Sequence, residues 1–239
     1  MCIRDSYLRI APELYLKKLI VGGFEKVYEI NRNFRNEGIS SEHNPEFTML
    51  EFYQAYSDYH DMIELTEELV NSLSLNILGK EEITFGEHKI SLKRPWKRVK
   101  FKEALVSYSG LAPSRFDDRA GTIEFASTLA PEKKTLSYGK ALDIIFDKCV
   151  KQLLIQPTFV INPPREVSPL AKALKEAPDE AERFELVMAG MEIANAFSEL
   201  SDPAEQRKRF EEQAEARKRG DEDAHWLSLI HISEPTRPY

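Results

Sequence analysis

Residues 27–56, VYEINRNFRNEGISSEHNPEFTMLEFYQAY, decide the fold. Two runs rich in aromatic and β-branched residues, 27–37 and 47–56, flank a segment containing Gly, Ser, Asn and Pro, so they read as two antiparallel strands joined by a long loop. Alternation puts Asn33, Arg35 and Glu37 on one face of the first strand, and Phe47, Met49, Glu51 and Tyr53 on one face of the second. Such a face is poor core material. Either water solvates it, as happens on one side of many antiparallel hairpins, or it binds something. An arginine offers a planar fork to phosphate oxygens, an aromatic ring stacks on a base, and carboxylates pair with ammonium groups. The composition points to a nucleotide and amine site.

Outward from this hairpin, helices alternate with further strand pairs. Pro12 opens an apolar stretch at helical spacing (Leu16, Leu19, Ile20) that Gly22-Gly23 ends. Residues 61–78 repeat apolar side chains at a helical period up to Gly79, and 83–92 read as a short hairpin around Gly86. Residues 101–155 are mainly helical, 158–161 form a brief strand halted by Pro163-Pro164, and 183–200 form another hairpin turning near Ala189-Gly190. A charged, solvated helix follows over 203–219. The fold class expected is α+β, an antiparallel sheet flanked by helices.

The second hairpin supplies Glu185 and Glu192, which a tight turn near Ala189 brings roughly opposite each other. Facing like charges destabilise a sheet unless something offsets them, and Mg²⁺ held by two carboxylates plus substrate phosphates would do so. Two exposed glutamates on an edge are the plain alternative. Asn195, Phe197 and Glu199 share a face, with Glu192 one residue out of step, so a bulge near Ile193 or Ala194 is required if all four line one site. Weaker candidates are His43, able to donate to a phosphate or simply solvated in its loop, and Arg165-Glu166, a substrate lip or a Pro-fixed turn. The basic run 93–102 lacks the aromatic interleaving of a stacking platform and reads as solvated surface.

Composition narrows the classes. With 239 residues, 42% hydrophobic and 31% charged, the chain is in the globular range, and its apolar runs are far shorter than the ~20 residues a membrane helix needs. The two cysteines, Cys2 and Cys149, suggest neither a disulfide framework nor a zinc site, which fits a reducing cytoplasm. A net charge of −7 argues against a surface that grips nucleic acid all over. No Gly-rich phosphate loop, Ser/His/Asp series or CxxC pair is present. Residues 1–6 (MCIRDS) and 227–239 (LSLIHISEPTRPY) resemble translated sequencing-adapter read-through and are set aside as non-native tails.

Residues 7–56, with FRNE, HNPEFTMLE and EFY, closely resemble the motif 2 region of class II lysyl-tRNA synthetases. EVSPLAK within 158–172, and RFE and MEIANAFSELSDP within 183–203, resemble the same family further on. The resemblance covers 7–224, a partial catalytic domain with a helical insertion about 101–156. It implies ATP-dependent activation of L-lysine and transfer to the 3′ end of tRNA(Lys), with Mg²⁺ as cofactor and a homodimeric, cytoplasmic full-length enzyme. By the same resemblance Arg35 is the catalytic residue at the α-phosphate of ATP. Glu37, His43 and Phe47 belong to the ATP site, and Glu185 and Glu192 to both ATP and metal. Glu13, Glu51, Tyr53, Asn195, Phe197 and Glu199 belong to the lysine pocket. Motif 1, motif 3 and an anticodon domain find no counterpart, so the core is expected to be truncated at both ends and inactive by itself. Two other readings stay open: a ligase that attaches β-lysine to elongation factor P, and a non-catalytic binding module derived from a synthetase.

Overall fold

The computed structural model describes residues 8–36, 39, 43–133 and 136–218. Glu37 and the tails assigned to 1–6 and 227–239 lie outside these residues. The chain divides between Ser57 and Asp58 into two compact units.

In the first unit, helix α1 (Glu13–Val21) starts after Pro12, whose carbonyl accepts from Tyr15 and Leu16, and ends at Gly22. Strands β1 (Lys26–Phe34) and β2 (Glu46–Gln54) pair antiparallel, from Lys26 opposite Gln54 to Phe34 opposite Glu46. Both strands stop sooner than their sequence pattern predicts, and Arg35 sits just past the end of β1. Burial alternates along β2: Phe47, Met49, Glu51 and Tyr53 are half-buried while Thr48 and Leu50 are exposed. Tyr28 and Ile30 of β1 are exposed as well. The face carrying Asn33, Phe47, Met49, Glu51 and Tyr53 is thus the more covered one, while Tyr28, Ile30 and Leu50 face outward.

The second unit begins with α2 (Tyr59–Leu73). Asp58 caps it, its side chain accepting from the His60 and Asp61 amides, while the Asp61 carboxylate accepts from the Asp58 amide, a reciprocal capping box. A π-helical turn (Ser74–Leu78) extends it to Gly79. The hairpin of β3 (Glu82–Phe85) and β4 (His88–Ser91) follows. Then come β5 (Lys97–Lys100), the helices α3 (Phe101–Tyr108), α4 (Arg119–Leu129) and α5 (Tyr138–Ile145), strands β6 (Thr158–Ile161), β7 (Arg183–Met188) and β8 (Met191–Phe197), and finally α6 (Pro203–Lys218).

The four-stranded sheet runs β5-β6-β7-β8. Its β5–β6 pair is parallel, so the sheet is mixed and not antiparallel throughout as expected. The helical stretch from α3 to the turn at Lys151–Leu153 supplies the long crossover that parallel neighbours require. Read as sequence, β5 looks like solvated basic surface because only Val99 of KRVK is buried. Basic side chains suit its position as an edge strand.

Both faces of this sheet are covered over its central strands β6 and β7. Val99, Val160 and Val187 join the helical layer of Phe101, Leu105, Leu142, Ile145 and Phe146 in one core. On the other face Phe159 stacks on Trp96 at 5.8 Å and meets Phe184 edge-on at 5.2 Å, with α2 packed over β7 and β8. Glu67 of α2 is buried there, accepting from the amide of Trp96 and from Arg94.

The β7–β8 hairpin turns through Ala189 (φ 54°) and Gly190 (φ 75°), the positive-φ pair of a type I′ turn. Their amides donate to Ile155 and Leu154. A Cβ on Gly190 would come within 3.2 Å of the Gln152 Cα. Gly190→Ala is therefore expected to cost about 1–2 kcal/mol from the left-handed backbone, with steric crowding added. Urea denaturation of the variant measures it, and an unchanged midpoint would contradict the expectation.

Candidate functional site

In the first unit the Arg35 amide donates to Pro45 (3.0 Å) and its Nε to the Ile10 carbonyl (3.2 Å). The guanidinium lies 5.1 Å from the centre of the Phe47 ring, so the cation and the aromatic surface form one platform. Asn33, opposite Phe47, is fully buried with neither side-chain polar atom bonded. His43 is exposed in the loop before β2.

Glu13, Glu51 and Tyr53 come together. The Tyr53 hydroxyl donates to Glu51 Oε1 at 2.5 Å, and Lys17 Nζ binds Glu13 Oε1 at 2.7 Å while lying 5.6 Å from the Tyr53 ring centre. Burial pushes the Glu51 carboxyl above its ordinary range. The Tyr53 hydroxyl opposes that shift, the Glu13 charge adds to it, and Lys17 and Arg35 oppose it. The part of Lys17 was missed in the sequence. Its only signal there is the four-residue spacing from Glu13 along a helix.

In the second unit the register corrects one expectation and meets another. Glu185 stands opposite Asn195, and Glu192 opposite Val187, so the two glutamates are not directly across from each other. Ala194 pairs with Leu186 and Glu192 with Val187, leaving Ile193 as the extra residue of a bulge where the sequence required one. Opposed residues share a face, so Arg183, Glu185, Val187, Glu192, Asn195 and Phe197 lie on one side of the hairpin. Glu199 follows just past β8, bridged to Ala171 of the EVSPLAK segment.

Arg183 ties these side chains together. It donates through Nη2 to Glu185, through Nε to Asn195 Oδ1 (3.1 Å), and through Nη1 to the Val167 carbonyl (3.2 Å) and Ser168 Oγ (3.0 Å). Asn195 Nδ2 in turn donates to Glu192 Oε1 at 3.3 Å. Glu185 sits between Val160 and Asn195 in the sheet, facing the helical layer. Burial there pushes its carboxyl up to about 7; Arg183 opposes the shift, and Glu192, Asp143 and Asp147 add to it.

Asp143 on α5 was also missed. Burial, then Asp147, push its carboxyl up to about 6, with Arg183 opposing. It lines a cavity of about 190 Å³ together with Lys133, Lys140, Glu166, Val167 and Gln213. Glu166 also accepts from the Gly139 amide at the start of α5, so the Arg165–Val167 turn is packed rather than free. Among the described residues no three His, Cys, Asp or Glu side chains are grouped to hold a metal by themselves. Glu185 and Glu192 instead offer hard oxygen donors of the kind that share a cation with phosphate and water.

Residues 2–236 match the family model described as tRNA synthetases class II (D, K and N), and the chain belongs to that family. Its similarity to individual proteins is more particular. It is 53% identical over 228 residues to the lysine–tRNA ligase of Carboxydothermus hydrogenoformans, covering 95% of this chain and 47% of that protein. It is 51% identical over 232 residues to that of Pelotomaculum thermopropionicum, with 96% and 46% covered, and 47% identical over 240 residues to that of Actinobacillus pleuropneumoniae, with 97% and 48% covered. The chain thus spans about half the length of the curated relatives it matches. Among the described residues no helix is long and apolar enough to cross a membrane.

The raised carboxyls of Asp143 and Glu185 carry a stability prediction. Each keeps its proton in the folded chain at pH values where the unfolded chain has released it, so rising pH favours unfolding. Stability is fullest below the ordinary carboxylate pKa and is lost as pH climbs through about 6 and about 7, the folded values of Asp143 and Glu185. Urea denaturation followed by circular dichroism from about pH 4 to about pH 8 is expected to trace that decline, and Glu185→Gln to flatten its upper part. A Glu185→Gln curve parallel to the parent's would refute this.

Proposed function

We propose that the chain is the amino-acid-activating part of a lysine–tRNA ligase, joining L-lysine to ATP and passing the lysyl group to the 3′ end of tRNA(Lys). The observation that carries this reading is the second hairpin, whose bulge puts Glu185, Glu192, Asn195 and Phe197 on one face beside Glu199. The name printed for the relatives, lysine–tRNA ligase, points the same way. In this reading residues 7–224 are the working part, with 101–156 an insertion into it, and the whole protein acts as a homodimer in the cytoplasm.

The lysine carboxylate attacks the α-phosphorus of ATP, forming the carboxyl–phosphate bond as the bond to the β-phosphate breaks and pyrophosphate leaves. The tRNA hydroxyl then takes the lysyl group and releases AMP. Arg35 stabilises charge growing on the α-phosphate oxygens, and Phe47 stacks on adenine, with Glu37 at its amino group and His43 near the distal phosphates. Glu185 and Glu192 would hold Mg²⁺, which would supply positive charge to the triphosphate. The buried Glu185 fits that role, because a cation beside it offsets the charge that burial disfavours. Glu13 faces the lysine α-ammonium, Glu51, Asn195 and Phe197 line the slot, and Tyr53 and Glu199 meet the side-chain ammonium. An amino acid with a neutral tail would cover these last two without supplying the ammonium they meet, a penalty of about 1–3 kcal/mol or more.

A chimera carrying residues 7–224 in place of the matching segment of the Carboxydothermus relative tests the reading. It is expected to catalyse lysine-dependent ATP–pyrophosphate exchange with α-lysine preferred over β-lysine, and Arg35→Ala to lower that rate about 10²–10³-fold. A folded chimera without exchange would overturn the proposal, and a preference for β-lysine would move it to the protein-modifying ligase.

A further inference from the structure

Arg183 has no part in the chemistry above, yet it bonds to three separate segments. Its Nη2 meets Glu185 on its own strand, its Nε meets Asn195 on β8, and its Nη1 reaches both Val167 and Ser168 in the turn that opens EVSPLAK. Through the Asn195 amide the same guanidinium also sets Glu192. With Oδ1 accepting from Arg183, the Asn195 Nδ2 must turn toward Glu192 Oε1. Both acidic side chains on this face therefore take their orientation from one fork of donors.

The backbone of Arg183 is fixed independently. Its carbonyl accepts from the Asn162 amide at 2.9 Å. Asn162 is buried in a left-handed conformation (φ 59°), its side chain donating to the Tyr59 hydroxyl (3.0 Å) and the Ala181 carbonyl (3.2 Å). A non-glycine residue keeps such a backbone only where its surroundings hold it there. The segment that Arg183 grips is also tied at its far end, where Lys172 donates to Ser198 and Leu170 accepts from Leu200, on either side of Glu199.

We propose that Arg183 is a positioning residue: its guanidinium aligns both metal-facing carboxylates with Asn195 of the lysine slot and anchors the 167–168 turn beside them. The ligand names rest on the function proposed above; the array itself does not. An ordinary stabilising ion pair would need one contact and would tolerate lysine. Four acceptors spread around a planar fork cannot be met by an ammonium, whose three donors radiate from a single point.

Two measurements on the whole chain test this, comparing the parent with Arg183→Lys and with Val99→Ala, a core truncation on the same sheet. Hydrogen exchange is expected to quicken at residues 165–171 in Arg183→Lys while β6 stays protected. Mn²⁺ binding in the presence of ATP, read by electron paramagnetic resonance, is expected to weaken about tenfold or more in Arg183→Lys, the loss typical of removing an outer-shell partner, and to be unchanged in Val99→Ala. Exchange that is unaltered at 165–171, or that quickens equally in β6, overturns the proposal, as does Mn²⁺ affinity within about twofold of the parent's. A parent chain that binds no Mn²⁺ with ATP removes the functional reading instead, and the exchange result then decides the array alone.

Discussion

The register of the β7–β8 hairpin is the constraint on which the second unit's site depends. A two-residue turn at Ala189-Gly190 sets the pairing from Met188 opposite Met191, and the extra residue Ile193 then shifts β8 by one. Since side chains alternate across a strand, that single insertion brings Glu192 onto the face of Asn195 and Phe197. Without it Asn195 and Phe197 would fall opposite Phe184 and Glu182 and point to the opposite side, among the side chains packed under α2. The turn is itself held by backbone bonds to Leu154 and Ile155, so the end of the helical crossover helps to fix the geometry of the acidic face.

Electrostatics in the second unit run against folding and are retained. Glu185 lies on the face that the helical layer covers, and Asp143 and Asp147 approach from that layer. Arg183 offsets part of this charge, and burial of the acids still holds both Glu185 and Asp143 above the ordinary carboxylate range. Acids kept close at a cost in stability agree with the cation-binding role proposed for this face. The first unit carries a milder version, in which Glu13 and Glu51 are balanced by Lys17 and by the Tyr53 hydroxyl.

Much of the fold was legible because it rests on local patterns. The Pro12 and Gly22 limits of α1, the hairpins at Gly86 and at Ala189-Gly190, and the helix end at Gly79 follow from proline, which fixes its own backbone, and from glycine, which reaches left-handed conformations that other residues avoid. The bulge was legible for a subtler reason, since Glu192 falls out of phase with Asn195 and Phe197. Strand β5 was not. With Val99 its only buried residue, nothing in KRVK marks it as a neighbour of β6, and its pairing depends on a crossover that no local pattern specifies.

The sequence by itself determined the family, the element types and the side chains available for chemistry, because periodicity, turn residues and long matching segments are properties of neighbours along the chain. Tertiary structure decided which of those side chains meet. Arg183 reaches Val167 and Ser168, Asp143 faces the β7–β8 hairpin, Lys17 sits by Tyr53, and Glu185 opposes Asn195 rather than Glu192. The covering of the Asn33 and Glu51 face of β1 and β2 and the burial of Glu67 were settled in the same way. Desolvation and pairing depend on what the folded chain places nearby in space, and those partners are dozens of residues apart in several of these cases.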